Sequence, residues 1–125
     1  MDDRDPRGQG TVLALIRDLF FSVKIRNELA AIGITVRLVG NTDAFVSTAR
    51  ELNPVLGIID ISAGVDWGRI AELAGSIPLL AFGPHRDVQG FRAAKAAGVT
   101  RVVANSELHA HLLELVDRYA RHDAP

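Results

Sequence analysis

Five short apolar runs, each closed by glycine, proline or a polar residue and each followed by residues at helical spacing, constrain the fold of this chain more than any other feature. Residues 12–16 are the first, an unbroken apolar segment of the kind that a parallel strand covered on both faces requires. From Leu19 to Ile32, the residues Phe21, Ile25, Leu29 and Ile32 recur at steps of three and four, which predicts a helix with one inward stripe, stopped by Gly33. Residues 34–39 are rich in β-branched side chains and predict a second strand. A second helix is expected over 42–52, with Ala44, Phe45, Thr48, Ala49 and Leu52 at helical spacing before the break at Pro54.

The third run, 55–60, is apolar until its last residue, Asp60. A loop through Gly64 leads to a helix expected near 66–74, and 77–82 predicts strand four, closed by Gly83, Pro84 and His85. Asp87 is a natural N-cap for a helix that Gly98 ends, 100–104 predicts strand five, and Ser106 is expected to cap a last helix. That helix turns Leu108, Leu112, Leu115 and Tyr119 inward. Parallel neighbours need crossover connections, and those crossovers are right-handed, so strict alternation implies an α/β fold with helices on both faces of one sheet.

Composition narrows the function classes. A length of 125 residues suits one core, and 48% hydrophobic with 23% charged residues excludes a disordered chain. The net charge of −1 provides no pull toward nucleic acid or an anionic membrane. With no cysteine there is no disulfide, thiolate nucleophile or cysteine zinc site, which suits a cytoplasmic location. Residues 1–10 are polar and carry acids where a signal peptide would be basic and then apolar, so they are expected to form a flexible tail. The domain is expected over 11–121, with 122–125 as a second tail, and no apolar stretch approaches the length of a membrane span.

The order of elements and four local signatures resemble the receiver domains of two-component response regulators. The strand Pro54-Val55-Leu56-Gly57-Ile58-Ile59-Asp60 is similar to the family's strand that leads to its phosphate-accepting aspartate. Ile77-Pro78-Leu79-Leu80 is similar to its fourth strand, Ala97-Gly98-Val99 to its turn before strand five, and the alternation spans residues 11 to 121. The resemblance implies a flavodoxin-like (βα)5 fold of sheet order 2-1-3-4-5. It also implies what is missing. The acidic pair that holds magnesium falls on Ile16 and Arg17, with Asp18 one place later; the hydroxyl residue after strand four falls on Gly83; the lysine after strand five falls on Asn105. Asp60 alone is retained at the phospho-acceptor position, which marks the chain as similar to a divergent or pseudo-receiver.

Two arrangements of the surviving residues stand open. The Arg17 guanidinium pairs with Asp60 in place of a metal, or Arg17 points to solvent and Asp60 caps the next loop. His85 on the same rim would titrate near neutral pH or hold an anion, and Asp60, Asp18 and His85 together would form a two-carboxylate, one-histidine metal site that the nearby Arg17 opposes. Trp67 either covers the crevice or anchors a partner. Phe20 and Val23 fall outside the inward stripe of the first helix, and Leu113 and Val116 widen the apolar arc of the last, through partner contact or wide burial. His109 and His111 are two apart and do not face each other, so they form no helical chelate.

The expected function is that of a stand-alone receiver-like signalling module. It docks a protein partner or a second copy, is not an enzyme, needs no cofactor, and lacks ordinary magnesium-dependent phosphorylation. A true phospho-acceptor at Asp60 using magnesium, and a small-molecule or anion sensor at the strand-end rim, are its rivals.

Overall fold

The computed structural model of the chain describes residues 10–121; the expected tail over 1–10, apart from Gly10, and the one over 122–125 lie outside them. The strands are β1 (Thr11–Leu15), β2 (Thr35–Val39), β3 (Leu56–Asp60), β4 (Leu79–Gly83) and β5 (Arg101–Ala104). Between them run the helices α1 (Leu19–Ala30), α2 (Thr42–Leu52), α3 (Trp67–Ile70) and α4 (Val88–Ala96), and α5 (Asn105–Tyr119) follows β5. A 3-10 turn, Ala71–Leu73, extends α3. All strand pairs are parallel and the order is β2-β1-β3-β4-β5, as the resemblance implied.

Strand periodicity divides the core between two faces. Val12 and Ala14 of β1, Leu56 and Ile58 of β3, and Leu80 and Phe82 of β4 join one cluster with Phe21, Ile25 and Leu29 of α1 and Leu108, Leu112 and Val116 of α5. Their neighbours Leu13, Leu15, Ile59 and Leu79 join the opposite cluster with Phe45, Val46 and Ala49 of α2 and Ile70 beyond β3. A third, smaller group of Ile61, Ala81 and Ala94 lies under α4. Every residue of β3 and β4 is buried, which explains their unbroken apolar runs.

Caps and turns fix where the helices begin and end. Asp18, Asn41, Asp66 and Asp87 accept hydrogen bonds from the first-turn amides of α1, α2, α3 and α4. Ser106, expected as a cap, instead lies within α5, whose N-cap is Ala104 and carries no side-chain bond. Two of the expected stripe residues also differ: Ile32 is 41% exposed and Leu52 39%, because α1 ends at Ala30 and Leu52 is the last residue of α2. Val116 is buried, whereas Leu113 is 42% exposed. Ion pairs of Arg50 with Glu72 at 2.8 Å and of Arg69 with Asp43 at 3.6 Å join α2 to α3 and its 3-10 extension, and Arg69 also pairs with Glu72 within that segment at 3.4 Å. Exposed pairs of this kind contribute about 0–1 kcal/mol each, so the apolar contacts beneath decide the position of α3.

The end of α5 is tied to the foot of the sheet. The Arg121 amide donates to the Val55 carbonyl at 2.7 Å, and the Val55 amide donates to the Thr11 carbonyl at 2.9 Å. The Arg121 guanidinium also donates to the carbonyls of Ser76 and Asn53, at 3.3 and 3.2 Å.

Gly57 in β3 is required by close approach. A Cβ there would lie 2.7 Å from Phe45 Cζ and 2.8 Å from Leu79 Cδ2. Gly57→Ala is therefore expected to lower stability by about 1–3 kcal/mol through overpacking, measured by chemical denaturation, and Phe45→Leu in the same chain should recover part of the loss.

Candidate functional site

Because all five strands run the same way, their carboxyl ends form one rim. Asp60 ends β3, a central strand, and its side chain turns into the rim at 5% exposure. Burial of a carboxylate demands hydrogen bonds, and three are present. The Arg17 amide donates to Oδ2 at 3.0 Å. The Ser62 amide and the Ser62 hydroxyl both donate to Oδ1, at 2.9 and 2.6 Å. The carboxylate thus fastens the loop after β1 to the loop after β3, and two of its three donors are backbone groups that any residue would supply.

Arg17 meets Asp60 through its main chain only. Its side chain is exposed, and among the described residues Asp60 has no ion-pair partner. The guanidinium pair therefore does not form, and the open alternatives resolve to a solvent-facing Arg17 and an Asp60 that orders the next loop. Ile16 packs half-buried against the α1–α5 side of the core, so the first position of the acidic pair is apolar in place as well as in type. Asp18 receives the Phe21 amide at 3.1 Å and is spent as the cap of α1.

Gly83 is the last residue of β4, beside Ala104 of β5. A side chain at Gly83 would start 3.0 Å from the Cβ of Ile61 and 3.2 Å from its Cδ1. Ile61, buried and hydrogen-bonded to the Phe82 carbonyl through its amide at 2.8 Å, would have to give by a few tenths of an ångström for a side chain to stand at position 83. Asn105 is exposed as the first residue of α5, and His85 is exposed in the loop between β4 and α4. Trp67 opens α3 and is half-buried, packed against the cluster under α4 and the one beneath α2. It is part of the packing that holds the loop after β3, and the Asp66 amide, donating to Thr42 Oγ1 at 3.0 Å, holds the same loop to α2.

Magnesium is what the resemblance implies here, and the residues present do not fit it. Asp60 stands as a single carboxylate, Asp18 caps a helix, and Ile16 and Arg17 offer no acid. Among the described residues no group of three or more His, Asp or Glu is placed to hold a metal ion, so the set of Asp60, Asp18 and His85 is not assembled. Transfer of a phosphoryl group to a carboxylate rests on positioning and on cations that offset the charge of the phosphoryl oxygens. Among the described residues no cationic side chain is paired with Asp60.

Sequence reasoning singled out Asp60 and Arg17, though not the main-chain bond between them, and missed Ser62 and Ile61. Ser62 was legible, since an Asp followed two residues later by a hydroxyl residue is a local turn pattern in which the carboxylate receives the i+2 amide. Ile61 was not, because its contact is with a residue that has no side chain. Leu19 and Phe20, at 71% and 87% exposure, lead α1 away from the rim and are the most exposed large apolar residues among those described. No helix of the described residues is long and apolar enough to cross a membrane.

No protein-family model and no curated protein sequence matches the chain. Solved structures do. The chemotaxis response regulator CheY4 of Vibrio cholerae is similar at 17% identity and a TM-score of 0.74, covering 87% of this chain and 97% of that one. The receiver domain of NtrX from Brucella abortus gives 14% and 0.72, over 86% and 95%. A response regulator of Burkholderia pseudomallei, solved with a phosphorylated aspartic acid and a calcium ion, gives 19% and 0.66 over 77% of this chain and 59% of that one. With strand order, helix placement and coverage in agreement, the fold of this chain is that of the response-regulator receiver domains.

Proposed function

We propose that the chain is an atypical receiver-like module that acts by binding a signalling protein, and that it does so without magnesium-dependent phosphorylation of Asp60. The observation that carries this reading is the state of the carboxylate: buried, with Oδ2 bonded to the Arg17 amide and Oδ1 to both donors of Ser62. An acceptor carboxylate needs an oxygen free to attack and a cation to offset the incoming charge. Here Oδ2, with the Arg17 amide as its one donor, keeps a lone pair, but the positions for the cation carry Ile16 and Arg17, so nothing there offsets the incoming charge.

Support for binding as the output comes from the surface. Leu19 and Phe20 stand exposed at the head of α1, and exposed large apolar side chains side by side are the usual mark of a contact site. The module is read as a non-enzyme working in the cytoplasm, with no cofactor. An anion or small-molecule sensor is the weaker reading, because His85 is exposed and Asp60 is buried with its donors already in place.

Magnesium at millimolar concentration, alone and with beryllium fluoride, is expected to cause no saturable change in the amide signals of Arg17, Asp60 and Ser62. Saturation in that range would establish Asp60 as a true acceptor and overturn the proposal. Mutational stability tests the structural role of the same carboxylate. Asp60→Ala leaves the Arg17 amide and the two Ser62 donors, all part-buried, without their acceptor and should cost about 1–2 kcal/mol, with a smaller loss for Asp60→Asn, which keeps a carbonyl oxygen. Arg17→Ala should stay within about 0.5 kcal/mol of the parent, since the bond to Asp60 is made by the main chain. Both are read from denaturant midpoints at neutral pH.

A further inference from the structure

Ile61 touches two glycines from one position. Its Cβ and Cδ1 lie 3.0 and 3.2 Å from where a Cβ at Gly83 would be, and its Cγ2 lies 2.5 Å from where a Cβ at Gly90 would be. Gly83 is the end of β4; Gly90 is in the first turn of α4, where its amide donates to the capping Asp87 at 2.9 Å. A glycine in a helix interior costs conformational entropy relative to alanine, so its place here needs a reason. Contact explains it: the methyl of an alanine would meet Ile61 and the carboxylate of Asp87.

The same isoleucine is covalently joined to both ends of the Asp60 turn. Asp60 precedes it, and Ser62, which donates twice to Asp60, follows it. Its own amide is bonded to Phe82 of β4. Beneath α4 it forms one buried group with Ala81 and Ala94, with Phe91 and Val102 packed against them. The turn, the strand end and the helix are therefore in contact through a single side chain.

We infer that Ile61 is a latch: it docks α4 onto the Asp60 turn by packing, so the surface that α4 presents is set without a chemical event at Asp60. The second half of this statement rests on the functional reading above. The first half does not. Glycine at position 83 removes a side chain that would start 3.0 Å from the Ile61 Cβ, so Ile61 is not crowded from β4 as it packs under Gly90. The docked arrangement is the resting one.

The test is amide hydrogen exchange on the whole chain, comparing α4 with α2. Gly90→Ala should raise exchange across Val88–Ala96 by about tenfold while Thr42–Leu52 keeps its parent rate. Ile61→Ala should also loosen α4, by leaving a void under Gly90. The double variant should lie closer to the parent than either single one, because the new methyl fills that void. Effects that multiply would overturn the latch. If Ile61→Ala does not fold, Ile61→Val serves in the Gly90→Ala background: valine keeps both γ carbons, so no relief is expected, and relief would refute the contact. Adding magnesium and beryllium fluoride to the parent separates the two readings. Binding at Asp60 with α4 exchange unchanged overturns the proposed function and leaves the latch standing, whereas binding that changes α4 exchange refutes docking that is independent of Asp60.

Discussion

Two-sided burial of the central strands governs this molecule. A parallel strand between two layers of helix must be apolar at every position, and each connection must cross the sheet before the next strand can begin. That demand brings all the strand ends to one rim and leaves Asp60 as the polar residue at the end of a run that is otherwise sealed. The carboxylate cannot retreat to solvent, so its hydrogen bonds are made by whatever the adjacent loops provide. Backbone amides and one serine meet that need.

This economy separates two roles that a carboxylate at the end of β3 can play. Reactive use needs an oxygen with weak, exchangeable partners and neighbouring cations or acids that hold a metal. Structural use needs firm donors and a dry surrounding. The replacement of acids by Ile16 and Arg17, and of a side chain by Gly83, removes the first set of conditions while Ile61 and Ser62 supply the second. The changes are spread along the sequence, yet they converge on one volume of space and act in the same direction.

Much of the fold was legible because it is written in periodicity. The five apolar runs, the Asp87 cap and the Gly98 stop, whose φ of 90° is one that few other residues adopt, all stand where the pattern placed them. The ends of elements were less legible: Ile32 and Leu52 continue the helical spacing, but the chain has left the layer by then and no partner covers them. The site was legible in position and not in bonding. Sequence alone placed Asp60 on the rim beside Arg17, and it could not separate a guanidinium from a main-chain amide as the donor, since every residue but proline carries the latter. Asp18 was weighed as a ligand when its neighbours three places on make it a helix cap. The Ile61 contact lay beyond reach, because the absence of a side chain at two distant glycines has no pattern to read.

The hydrogen bonds at the foot of the sheet have a consequence for how the unit can be joined to other chains. Val55 receives the Arg121 amide and donates to Thr11, so the first and last described segments meet at a single residue. A domain whose two ends converge can be spliced into a surface loop of a host protein, or opened at a new point and closed by a short linker, with little entropy lost. Since that meeting point is at the opposite end of β3 from Asp60, any such graft would present the rim outward, clear of the join.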